Sequence, residues 1–93
     1  MADIRSFNKF AWDAVSGAVS YDAEVLNMAL VVVITKPDII GLEVAVTELP
    51  GLVQGVSYNF RVRARDIFGV GAFSANLAFR IVGPEAPTNV HIV

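Results

Sequence analysis

The chain has 93 residues, a formal net charge of −2, no cysteine, 55% hydrophobic residues and 17% charged residues. That length makes one domain with one modest core. The missing cysteine excludes disulfides and thiolate metal sites, and the charge gives no electrostatic basis for binding nucleic acid or an anionic membrane. The charged share lies well below the usual value of about 25%. A single thin sandwich buries one face of each strand, so the apolar surplus is expected on outer faces and loops. Such a surface suits a subunit or module of an assembly, scattered single apolar residues being the plain alternative. The longest apolar run, residues 28–34, is far shorter than the roughly 20 residues of a membrane-spanning helix, so no membrane insertion is expected. The first residues show no succession of basic, apolar and small segments, so any export signal is expected outside this chain.

In chain order, residues 1–6 are weakly patterned. Residues 7–15, FNKFAWDAV, read as a strand with Phe10 and Trp12 on one face, and Ser16, Gly17 and Ala18 as turn material. Residues 21–27 alternate, with Tyr21, Ala23 and Val25 inward and Asp22 and Glu24 outward. Residues 28–35 are apolar and β-branched and predict a further strand, and Lys36-Pro37-Asp38 predicts a turn because proline presets φ. Residues 42–49 follow as a strand with Leu42, Val44 and Val46 on one face. The clearest alternation is over residues 57–65. There Tyr58, Phe60, Val62 and Ala64 point one way, and Asn59, Arg61, Arg63 and Arg65 the other. Residues 73–82 close the series with Leu77, Phe79 and Ile81 in register. Short strands about ten residues apart, separated by Gly and Pro turns, predict an all-β, two-sheet antiparallel β-sandwich.

Several of these stretches resemble the fibronectin type III domain. Phe10-Ala11-Trp12 is similar to the L-x-W of its second strand, and Tyr21-x-Ala23-x-Val25 to the Y-x-V-x-V of its third. Leu52-x-x-Gly55-x-x-Tyr58 resembles its tyrosine corner, with Gln54 where the family has proline. Residues 58–64 resemble its sixth strand, and Gly69-x-Gly71-x-x-Ser74 its loop into the last. The resemblance covers residues 7–82. It implies an immunoglobulin-like sandwich with Trp12, Tyr21, Tyr58, Phe60 and Val62 in the core and the Tyr58 hydroxyl bonded to backbone at the corner.

The expected organisation is a domain over residues 1–82, its first strand short or missing, followed by residues 83–93 as a linker and first-strand-like segment. Within that segment Pro87, Val90 and Ile92 resemble the lead-in to a following fibronectin domain. Three readings stay open: a tandem-array linker, a strand supplied to a neighbouring copy, or an irregular tail beside a minimal first strand formed by residues 2–6.

Little in the sequence points to catalysis, and a non-enzymatic protein without cofactor or metal is expected. His91 is the one histidine, the acidic residues are scattered without calcium-loop spacing, and Gly69-x-Gly71 is too short to cradle a phosphate. Arg61, Arg63 and Arg65 form the one basic stripe, suited either to an anionic glycan or to pairing with Asp22 and Glu24 on the neighbouring strand that the resemblance implies. Phe68 and Val70, in the loop after the long strand, are candidate interaction residues, Phe68 serving either as an exposed anchor or as a lid on the core. Leu30, Val32 and Ile34 are the other candidates. Their continuous apolar run near a sheet edge implies cover on both faces, by a neighbour or by a loop of the same chain.

Stretches such as WDAVSGAVSYDAEV, VRARDIFGVGAFS and IVGPEAPTNV resemble fibronectin domains of phage tail-tip, or host-specificity, proteins. That resemblance implies a structural and adhesion module of a virion tail or other extracellular assembly. Its partners would be further copies of itself, as a trimer, neighbouring domains and a host surface receptor, with no role for nucleic acid. The alternative is a spacer or binding module of a secreted bacterial multidomain protein such as a polysaccharide-degrading enzyme. An animal receptor module is disfavoured by the absence of Arg-Gly-Asp and of any Asn-x-Ser/Thr site.

Overall fold

A computed structural model describes residues 1–93. It is all-β, with two sheets as in a β-sandwich. The strands are β1 (Ala2–Ile4), β2 (Lys9–Ala11), β3 (Ser20–Asn27), β4 (Val32–Ile39), β5 (Glu43–Ala45), β6 (Ser57–Asp66), β7 (Gly69–Val70) and β8 (Leu77–Ile81). The larger sheet has the order β1-β8-β6-β3-β4, with β7 also paired to β6, and the smaller consists of β2 and β5. The expectation of purely antiparallel sheets is corrected at one place. β1 pairs parallel to β8, Ala2 opposite Phe79 and Ile4 opposite Ile81. The chain before the Arg5–Asn8 turn has joined the larger sheet, and β2 keeps β5 as its single neighbour.

The alternation in β6 has the expected result. Tyr58 and Phe60 are buried, Val62 and Ala64 half-buried, and the strand pairs with β3 along its whole length, from Ser20 opposite Arg65 to Asn27 opposite Tyr58. The core is small. Only 14 of the 93 residues are buried, so the apolar surplus does lie outside it. At its centre Phe10 stacks on Phe60 with ring centroids 4.1 Å apart, and Phe79 meets Phe10 edge-on at 4.9 Å. Trp12 and Val62, expected in the core, are half-buried and pack against its rim, because no strand lies beyond β2 to cover them. Leu42 and Leu77, expected on buried faces, are exposed.

Elsewhere the strands are shorter than the apolar pattern predicts. The stretch 7–15 yields three residues of strand, and 42–49 becomes β5 followed by a single 3-10 turn, Val46–Glu48. The largest shift falls on residues 28–39. Residues 28–31 form a turn, in which the Asn27 side-chain oxygen accepts the Ala29 and Val31 N–H groups at 2.9 and 3.0 Å and Leu30 takes φ 63°. Lys36-Pro37-Asp38 lies inside β4, contrary to the expected turn. Proline is tolerated there because β4 is the sheet edge. The register skips one β4 residue between Tyr21 opposite Ile39 and Ala23 opposite Lys36, a bulge at which Asp38 has φ 57° and donates its N–H to Asp22 Oδ1 at 3.2 Å.

The tyrosine corner is formed. The Val53 N–H donates to the Tyr58 hydroxyl oxygen at 3.0 Å, and Gly55, at φ 82°, donates its N–H to the Ile81 carbonyl at 2.8 Å. Replacing Tyr58 by Phe strands that amide and is expected to cost about 1–1.5 kcal/mol in urea unfolding, with little change in the m-value because burial of the ring is retained.

Residues 84–93 have no regular structure and are exposed throughout. Together with a long axis of 62 Å against 29 and 19 Å, this describes a tail projecting from the end of the sandwich where β8 finishes.

Candidate interaction surfaces

The residues singled out in the sequence fall into three separate places. At one end of the sandwich, where β3 begins and β4 and β6 finish, β6 turns into β7 with Asp66 opposite Gly69. The Asp66 Oδ1 accepts the Phe68 N–H at 2.8 Å and the Gly69 N–H at 3.1 Å. Gly69 takes the positive φ, 138°, that so tight a hairpin requires. The two residues at its tip, Ile67 and Phe68, therefore stand out from the domain, Phe68 being 91% exposed. Phe68 is no lid on the core. Val15, Val19 and Val70 are exposed around it and Ile40 stands exposed one residue beyond β4. A shallow depression of about 310 Å³ lies beside the tip, lined by Val15, Ala18, Phe68 and Val70 among others.

Leu30 and Val32 lie at the opposite end, where β3 turns into β4, and are exposed. Ile34 is half-buried and packs on the core. No loop of the chain covers residues 30–33, so of the two covers expected there, a neighbour or a loop of the same chain, the loop is absent. Pro87, Val90 and Ile92 lie in the exposed tail, which leaves from this same end, with Ile92 99% exposed. His91 contacts only the Asn89 carbonyl, at 2.7 Å from Nδ1.

The basic stripe is paired with the strand beside it, two carboxylates facing three arginines. Arg61 binds Glu24 Oε1 through Nε at 3.0 Å and Nη2 at 2.6 Å. Asp22 Oδ2 receives Arg63 Nε at 3.2 Å and Arg65 Nη2 at 2.9 Å. Burial by itself would push the Asp22 carboxyl up, but the Asp38 N–H and the two guanidinium groups outweigh it and hold the carboxyl below its ordinary value. The Phe73 ring lies under Arg61 and Arg63, 4.0 and 4.7 Å from the two guanidinium carbons. With two carboxylates against the three guanidinium groups and Phe73 under two of them, these arginines are fixed parts of the sheet and are poorly placed to grip an anion.

Sequence reasoning missed two features. One is the apolar company of Phe68, since Val15 and Ala18 are distant from it in sequence and line the same depression. The other is a cleft of about 370 Å³ between the end of β2 and the segment after β7, lined by Trp12, Tyr21, Val62 and Phe73 among others. The Trp12 indole N–H is buried without an acceptor. No three His, Asp or Glu side chains converge as a metal site would need. Comparison with protein-family models, with curated proteins and with solved structures returns no match for this chain.

Proposed function

We infer that this chain is a non-enzymatic structural and adhesion module of the fibronectin type III kind, working in a virion tail tip or fibre that attaches to a host. The observation that carries the reading is the hairpin tip. Two large apolar side chains, Ile67 and Phe68, are held outward by a turn that Asp66 and Gly69 stabilise. A rigid aromatic projected into solvent contributes nothing to the core and suits a contact with another protein. The strand motifs and the tyrosine corner support the module type. The wording of the loops, similar to that of phage tail-tip proteins, supports the location and a trimeric parent assembly.

The reading is tested by binding the purified protein, labelled at low stoichiometry, to a panel of intact bacterial surfaces and to surface proteins isolated from them. A surface that captures the wild type should capture Phe68→Ala about 30-fold less tightly, the equivalent of an anchor worth about 2 kcal/mol. The melting temperature should stay within a degree or two, because Phe68 makes no core contact. Equal capture of wild type and variant, or no capture across the panel, counts against the hairpin tip as an adhesion site.

A further inference from the structure

The smaller sheet is incomplete. Two three-residue strands make a marginal sheet, and β2 has a neighbour on one side only. Its bonds to β5 run through even-numbered residues: Trp12 N–H donates to the Leu42 carbonyl, and Val46 N–H to the Asn8 carbonyl. Lys9 and Ala11 therefore present their backbone N–H and C=O groups to the open side. The cleft lined by Trp12, Tyr21, Val62 and Phe73 lies beyond that side. β6 and residues 71–74 form its wall, and no β5 residue lines it. An apolar cleft and a strand edge without a partner together fit one kind of occupant, an extended peptide with apolar residues at alternate positions.

The chain carries such a peptide. After Pro84 and Pro87, every residue of 88–93 has a backbone N–H, and Thr88, Val90, Ile92 and Val93 are β-branched, as a strand favours. Val90 and Ile92 fall on one face. The tail cannot readily serve its own domain. It leaves at the end where β8 finishes, whereas the cleft opens at the Phe68 end. The side between is closed by β1 and by Arg5, whose Nη1 donates to the Gly83 carbonyl at 3.3 Å. A second copy stacked end to end meets the geometry directly. Its tail would enter at the Phe68 end and run antiparallel to β2, and its six residues at about 3.3 Å each would span about 20 Å.

We propose that residues 88–93 of one copy add as a strand to the open edge of β2 in the next copy, with Val90 and Ile92 in the cleft at Trp12. Asn89, at φ 53° in the projecting tail, extends when it pairs. Each copy offers a tail at one end and a cleft toward the other, so the contact is head-to-tail and propagates. It is separate from adhesion through the hairpin tip, which a lone copy could perform.

Trp12 is the chain's one tryptophan and reports on the cleft. In the protein of residues 1–93, sedimentation velocity and tryptophan emission are followed together as concentration rises. Mass should increase, with emission moving to shorter wavelength in step. The variant Val90→Asp/Ile92→Asp, altered only at exposed tail positions, should associate at least about tenfold more weakly, since carboxylates do not enter an apolar cleft. A peptide of residues 84–93 added to that variant should restore the emission shift without raising its mass. Ala11→Pro, which removes an amide from the open edge, should abolish the response to the peptide. A wild type whose mass and emission do not change with concentration overturns the proposal. So does association undiminished in the tail variant, which would assign the contact to the β4 edge or the hairpin tip.

Discussion

Replacing Phe79 with alanine is expected to remove about 3–5 kcal/mol of stability, a large part of the roughly 5–14 kcal/mol available to a domain of this length. Phe79 is completely buried. Its ring, on the larger sheet, touches Phe10 of the smaller sheet and lies 5.7 Å from Tyr58 on the adjacent strand. The two sheets meet through few residues, so nothing nearby can slide in to fill the space. Urea unfolding followed by Trp12 emission measures the loss, and a near-normal m-value distinguishes a weakened fold from a loosened one. Trp12→Ala, followed by circular dichroism, should cost less than Phe79→Ala despite the larger ring, because Trp12 lies half-exposed at the cleft. Equal costs would mean that the cleft is closed in solution.

The second large effect is expected at Asp22. Its side chain is 4% exposed and joins Arg63, Arg65 and the Asp38 amide. Asp22→Ala leaves two guanidinium groups without their carboxylate and the β4 bulge without its anchor, at an expected cost of about 2–4 kcal/mol. The folded-state pKa is lowered from the ordinary value of 3.8. The contribution of the carboxylate is therefore fully present above that value and is lost as pH falls below it through the lowered one. Wild type and variant should thus differ most at neutral pH and converge in acid. Thermal melts between pH 2 and 7 check this, and a gap that does not narrow in acid would mean that the carboxylate charge is not what stabilises the site.

Legibility in the sequence followed burial. Strands β3 and β6 have neighbours on both sides, so packing enforces the alternation of Tyr21, Ala23 and Val25 and of Tyr58 and Phe60, and the pattern can be read directly. The pairing of Asp22 and Glu24 with the arginines follows from the same adjacency. At the edges the pattern loses that discipline. Pro37 reads as a turn by local preference, yet an edge strand with a bulge accepts it. The apolar run 28–34 reads as one strand, yet its first half is a turn fixed by the Asn27 side chain. Nothing in residues 1–6 announces that β1 pairs with β8, because three residues hold too little pattern to choose between sheets. The cleft is a consequence of that choice, and so it was invisible until the topology was known.

The parallel register of β1 and β8 also decides how the domain bears a load. A pull applied between Met1 and Val93 draws β1 toward its N-terminus and β8 toward its C-terminus, in opposite senses along paired strands. The bonds joining Ala2–Ile4 to β8, with the Val82 amide on the Ile4 carbonyl at 2.8 Å, then lie across the direction of tension and are strained together. An antiparallel pair pulled from one shared end would instead open a bond at a time. Stretched from its ends, the sandwich is sheared before it can be peeled, and three short residues at the start of the chain act as its clasp.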